Sequence, residues 1–214
     1  MMERLICLLV GYVCGLFQTS YIYGKAHGID IRNYGSGNAG TTNALRTLGA
    51  KAGAITFLGD CFKCVLAVLI VRVIFGNSHQ DIIRLLGLYA AAGTILGHNF
   101  PFYLKFRGGK GIAATAGLLV SFDWRITLAA LIVFLIVFFT THYVSLGSLL
   151  VYVVFLAGLF FLGQTGAFAM TAPALHEMYV VACLLAVLAF YKHRANIGRL
   201  IHGRENKTYL KKKK

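Results

Sequence analysis

Charge is scarce in this chain. Only 13% of its 214 residues are Asp, Glu, Lys or Arg, against 58% that are hydrophobic. That balance excludes an ordinary soluble domain, which buries a core at this length without so much apolar sequence. Strict apolar–polar alternation is also missing. The apolar residues run on continuously, which excludes a β-barrel. No long linker and no internal repeat interrupts them, so residues 1–214 read as a single integral membrane domain. Most aromatic residues sit in the hydrophobic runs rather than among the basic residues, where a base-stacking surface would need them. The net charge of +14 is therefore assigned to membrane lipids and phosphorylated substrates, and no nucleic acid partner is expected. Cys61 and Cys64 form C-x-x-C, but no second pair or histidine cluster completes a zinc site. Together with Cys7, Cys14 and Cys183 they read as small buried hydrophobes. Met1-Met2-Glu3-Arg4 opens like a signal peptide, yet no small-residue cleavage site follows the apolar stretch, which predicts a retained helix.

Seven apolar segments remain, at about 3–23, 52–74, 81–99, 110–122, 125–140, 145–163 and 176–191. They predict an all-α polytopic membrane protein with seven transmembrane helices. The fourth, at about 12 residues, is short of the roughly 20 that a full span needs. Lys and Arg set the orientation. Sixteen fall in the stretches 24–51, 100–110 and from 192 onward, while Arg4, Arg72, Arg84 and Arg125 make four on the other side. The positive-inside rule then places the N-terminus outside and the C-terminus in the cytoplasm. It also requires the fourth segment to cross, with Trp124 as an interfacial anchor. Lys63 falls inside a helix, where an i,i+3 ion pair with Asp60 is the economical reading. Lys211–Lys214 read as a headgroup contact or a solvated end.

Three polar stretches fall on the cytoplasmic side, in motif loops at about 24–51, 97–111 and 192–204. The first is Gly35-Ser36-Gly37-Asn38-Ala39-Gly40-Thr41-Thr42-Asn43, with Arg46 one turn later. It matches G-x-G-x-x-G, but a membrane helix precedes it rather than the strand of a dinucleotide fold. The second is Arg107-Gly108-Gly109-Lys110-Gly111, preceded by Gly97-His98-Asn99-Phe100-Pro101. It is no mononucleotide loop, because Leu104 stands where the first glycine belongs and Gly111 replaces the hydroxyl residue after the lysine. The third is His193-Arg194-Ala195-Asn196, followed by Arg199. Glycine lets backbone N–H groups converge on an anion, and a helix start adds its positive dipole end. Such groups beside cations point to phosphate handled at a membrane surface. No set of His, Cys, Asp and Glu has metal-ligand spacing, so no metal and no cofactor is expected. His79, His142 and His176 have no supporting cluster.

In these three stretches the sequence resembles the bacterial acyl-phosphate:glycerol-3-phosphate acyltransferase family (the PlsY family). The resemblance spans nearly the whole chain. It implies transfer of a fatty acyl group from acyl phosphate to the 1-hydroxyl of glycerol 3-phosphate, giving lysophosphatidic acid and phosphate, the first step of phospholipid synthesis. It implies a bacterial inner-membrane location with a cytoplasmic active site, and functional coupling to the enzyme that makes acyl phosphate. Ser36, His98 and Asn196 are then the candidate catalytic residues. Gly37, Asn38, Thr41, Asn43, Arg46, Arg107, Gly108, Gly109, Lys110, His193 and Arg194 are the candidate substrate-binding residues. The H-x-x-x-x-D pair of the other glycerolipid acyltransferase class is absent at all seven histidines. Two routes are open for the hydroxyl proton: His98 takes it with Ser36 as orienting group, or the donor's own phosphate takes it. The competing reading is a transporter or channel for a phosphorylated solute. It is disfavoured because polar groups collect at one face rather than at the midplane.

Overall fold

A computed structural model describes residues 1–209. The expectation for Lys211–Lys214 lies outside the described residues. Among these residues every regular element is helical: α1 (Met2–Gly15), α2 (Thr19–Ala26), α3 (Thr41–Leu48), α4 (Ala50–Phe75), α5 (Ile83–Asn99), α6 (Ile112–Phe122), α7 (Trp124–Thr141), α8 (Val144–Gln164), α9 (Ala172–Lys192) and α10 (Arg194–Ile201). Leu58, Phe62, Val73, Ile136 and Val187 are among many large apolar side chains left exposed. A soluble monomer rarely shows so much contiguous apolar surface.

Five stretches are long and apolar enough to cross a bilayer, namely Met2–Ala26, Ala50–Phe75, Trp124–Thr141, Val144–Gln164 and Ala172–Lys192. This is fewer than the seven expected. Helix α5 has 17 residues and α6 has 11. At 1.5 Å per residue the latter rises only about 16 Å, against a hydrocarbon core of about 30 Å. Helix α6 survives by burial: Ala114, Thr115 and Leu118 are closed off among α4, α5 and α7. The first expected helix is also broken, with Leu16–Gln18 between α1 and α2. Two helices form within the expected loops, α3 in the first and α10 in the third.

The closest helix pair is α1 with α5. A methyl at Gly11 or Gly15 would run into the carbonyl oxygens of Ala90 and Thr94, and one at Gly93 or Gly97 into those of Leu8 and Tyr12. Two G-x-x-x-G faces thus bring backbones together, as small residues do between membrane helices. The seam ends at the break after α1, and it sets His98, near the end of α5, beside the carbonyls that the break releases. Gln18 Nε2 donates to the carbonyls of Gly97 and His98 at 3.3 and 3.1 Å. The remaining core is aliphatic and aromatic, with Phe122 edge-on to Phe155 and Phe168.

Candidate active site

The three polar stretches meet around one cavity of about 430 Å³. Ser36, Gly37, Asn38, Thr41, Asn43 and Arg46 line it from the first, His98 and Lys110 from the second, and His193 and Asn196 from the third. Phe57, Ile112, Ala113, Phe134 and Val144 form an apolar wall of the same cavity.

The first loop is built by Asn43. Its Oδ1 accepts from the Ser36 amide at 2.8 Å, and its Nδ2 donates to the carbonyls of Ile31 and Tyr34 at 3.0 Å each. Gly35, at φ 59°, lies so close over Asn43 Oδ1 that no side chain fits there. Asn43 therefore shapes the loop and spends its amide doing so. Helix α3 follows without a side-chain cap, so the N–H groups of its first turn, at Thr41 and Thr42, have no partner within the helix. Thr41 Oγ1 is buried without a partner as well. These are groups an anion satisfies.

The glycines of the second stretch act differently from their sequence reading. The Gly108 and Gly109 amides donate to the carbonyls of Asn99 and His98 at 3.3 and 3.1 Å, so they close the loop onto the end of α5 and are not free for a phosphate. Gly108 and Arg107 line a second cavity of about 470 Å³ with Tyr21, Arg32, Tyr103 and Lys105. Arg194 stands exposed, its guanidinium 4.4 Å from the centre of the Tyr191 ring. Of the candidate residues, Arg107, Gly108, Gly109 and Arg194 are outside the lining of the first cavity.

Lys110, like Lys192 and Arg199, is a half-buried cation of the site. It donates to Asn196 Oδ1, while Asn196 Nδ2 donates to Glu205 Oε1 at 2.8 Å and Arg199 Nε to Glu205 Oε2 at 2.8 Å. Burial pulls the Lys110 ammonium down to about 8, with Glu205 opposing and Arg199, Arg46 and Lys192 adding to the fall. Arg46 donates to Thr208 Oγ1 at 2.6 Å and to the Asn206 carbonyl at 3.1 Å, and burial lowers its pKa too. The segment 205–208 thus straps back across the site. Sequence reasoning missed Glu205, Asn206 and Thr208; the one available signal was an acidic residue inside a basic tail.

The two cavity histidines present opposite faces. His193 Nδ1 lies 2.8 Å from the Ala189 carbonyl, which only accepts, so Nδ1 carries the proton and Nε2 keeps a lone pair. Burial, then the Lys110 charge, lower its pKa to about 4, and the ring is neutral at physiological pH. His98 Nδ1 instead faces Lys63 Nζ at 2.9 Å. An ammonium only donates, which leaves the His98 proton on Nε2. Asp60 and Lys63 form the expected ion pair at 2.8 Å, buried beside His98.

A family model described as "Glycerol-3-phosphate acyltransferase" matches residues 5–203. A glycerol-3-phosphate acyltransferase of Clostridioides difficile (strain 630) is 43% identical over 210 residues, covering 97% of both chains. A glycerol-3-phosphate acyltransferase of Alkaliphilus metalliredigens (strain QYMF) is 38% identical over 207 residues, covering 96% of both chains. The crystal structure of PlsY (YgiH), an integral membrane glycerol 3-phosphate acyltransferase in its glycerol 3-phosphate form, superposes with a TM-score of 0.81 at 30% identity and 96% coverage of each chain. With three separated motifs gathered on one cavity and relatives matched end to end, the chain belongs to the glycerol-3-phosphate acyltransferase family.

Proposed function

We propose that the protein transfers a fatty acyl group from acyl phosphate to the 1-hydroxyl of glycerol 3-phosphate, releasing lysophosphatidic acid and phosphate. The observation that carries this reading is the make-up of the cavity, whose lining combines cationic and amide groups with apolar side chains. A phosphorylated acceptor and an amphipathic acyl donor need those two surfaces side by side. Lys110 and Arg46, with the open N–H groups of α3, receive phosphate. The wall of Phe57, Ile112 and Phe134 receives the acyl chain.

The hydroxyl oxygen attacks the acyl carbonyl carbon, the bond from that carbon to the phosphate oxygen breaks, and the hydroxyl proton leaves with the phosphate. His98, with its proton on Nε2, faces the reaction as a donor, which favours the phosphate over His98 as proton acceptor. Ser36 and the Nε2 lone pair of His193 orient the acceptor hydroxyls. Catalysis is then positioning plus stabilisation of charge. The transporter alternative requires polar groups open to a path at the midplane. The charged pair there, Asp60 and Lys63, is buried in mutual contact beside His98.

Purified protein in detergent is expected to make lysophosphatidic acid from glycerol 3-phosphate and acyl phosphate, and not from acyl-CoA or acyl carrier protein. Equal turnover with acyl-CoA would refute the donor assignment.

The membrane arrangement in this reading keeps seven crossings, an outer N-terminus, and the cavity on the cytoplasmic face of the bacterial inner membrane. In a cysteine-free background, single cysteines at Asn38 and Asn206 are expected to label only from the cytoplasm, and one at Gln164 only from outside. External labelling at Asn206 would mean that α6 turns back without crossing.

A further inference from the structure

Lys63 is a buried ammonium that the transfer chemistry above leaves unused. On α4, its Nζ is surrounded by acceptors: the Phe17 carbonyl at 2.6 Å, Asp60 Oδ1 at 2.8 Å, His98 Nδ1 at 2.9 Å and the Gly15 carbonyl at 3.3 Å. Its three hydrogens have only acceptors to meet, and it has no lone pair to offer. An imidazole N–H cannot face it across that distance. His98 Nδ1 therefore points its lone pair at Lys63, and the ring proton sits on Nε2. The Nε2 edge lies against Gly109, which the Ala39 carbonyl also flanks, where the first two motifs meet.

Asp60 gives this arrangement its tension. Its Oδ1 accepts from Lys63 and from Thr19 Oγ1 at 3.0 Å, and stands 3.7 Å from His98 Nδ1, while its Oδ2 is buried without a partner. Without the lysine, that carboxylate becomes the nearest charged neighbour of Nδ1 and draws the ring proton onto it. Nε2 would then turn from donor to acceptor. A backbone-capping role for Lys63, on the Gly15 and Phe17 carbonyls freed where α1 breaks, does not depend on Asp60 in this way.

We propose that Lys63, held by Asp60, is a positioning residue that fixes His98 in the tautomer with its proton on Nε2, so that the histidine meets the reacting groups as a hydrogen-bond donor. The inference rests on the reading that places His98 in the active cavity.

The test is a pair of measurements on the full chain in detergent. Nitrogen-15 spectra of the imidazoles, with the His98 signals identified by their loss in His98→Gln, should show a protonated Nε2 and a bare Nδ1. In Lys63→Met the proton should move to Nδ1. Per folded molecule, kcat should fall by roughly a hundredfold, with the KM for glycerol 3-phosphate changed less than about twofold, the order expected for loss of one donor aimed at developing charge. Adding Asp60→Asn should then restore kcat to within roughly tenfold of wild type, a coupling that independent structural losses do not produce. A wild-type His98 protonated on Nδ1, an unchanged tautomer in Lys63→Met, or additive losses in the double variant each overturn the proposal. If Lys63→Met fails to fold, the wild-type spectrum decides alone. That spectrum is independent of turnover, whereas full activity in His98→Gln would instead sink the placement of His98 in the active cavity.

Discussion

Lys110→Ala is expected to lose on the order of ten- to a hundredfold in kcat/KM, while Lys51→Ala, which also removes one positive charge, stays within about twofold of wild type. Lys51 is exposed at the start of α4, where water and salt screen it. Lys110 is half-buried in the cavity and held by Asn196, where a charge-assisted bond to a phosphate contributes roughly 1.5–3 kcal/mol. Arg46→Ala should fall in the same range, and it also releases Thr208 and Asn206. Lys110→Arg should be impaired as well, because a planar fork does not fit a place shaped for a compact ammonium. Initial rates across both substrate concentrations, on protein checked for folding, decide the matter. Equal behaviour of Lys110→Ala and Lys51→Ala would reduce these cations to ordinary membrane flanks.

The same lysine sets a pH limb. Its pKa is lowered to about 8, so the free enzyme holds the cation below that pH and loses it above. The kcat/KM for glycerol 3-phosphate should therefore fall as pH rises through about 8. It should rise on the acid side near 6, where a phosphate monoester gains its second charge. In Lys110→Arg the alkaline limb should vanish, because a guanidinium stays charged throughout.

The motifs were legible because glycine, asparagine and cations are conspicuous in an apolar chain, and their convergence followed from placing all three at one face. Ser36, Arg46, His98, Lys110, His193 and Asn196 do share a cavity. The roles within it were less legible. Asn43 and Gly109 look like ligand groups in sequence, yet one ties a loop and the other lets two backbones touch, distinctions that only the partners of each N–H reveal. The crossing at α6 was read from the Lys and Arg count against its short apolar length, and neither signal registers that a short helix persists when its neighbours bury it. The G-x-x-x-G faces of α1 and α5 were in plain view at residues 11, 15, 93 and 97, but an apolar count treats glycine as filler. Lys63 and Asp60 were recognisable as a pair from their spacing alone. That their partner is His98 depends on the α1–α5 seam and on the break at Leu16–Gln18, neither of which periodicity shows.

Gly109→Ala should remove most of the activity from a protein that still folds, whereas Gly198→Ala should leave activity intact. Both exchanges add one methyl group. At Gly198 that methyl meets nothing within 4 Å, and in the interior of α10 alanine is favoured over glycine by roughly 0.5–1 kcal/mol. At Gly109 it would stand 2.6 Å from the Ala39 carbonyl and run into His98 Nε2. Real Cβ atoms do not come that close to backbone, so the first motif loop, the imidazole or the second loop must shift. Overpacking of this kind costs typically 1–3 kcal/mol, which a helical membrane fold withstands. Geometry is less forgiving, because displacing reacting groups by about 1 Å costs on the order of a hundredfold in rate. The loss should appear in kcat/KM for both substrates, since Ala39 lies in the first motif loop, between the cavity-lining Asn38 and Gly40, and His98 lines the same cavity from the second stretch. The measurement is turnover per folded molecule, with thermal stability recorded for each variant. A Gly109→Ala protein as active as Gly198→Ala would show that the first and second motifs do not work in contact.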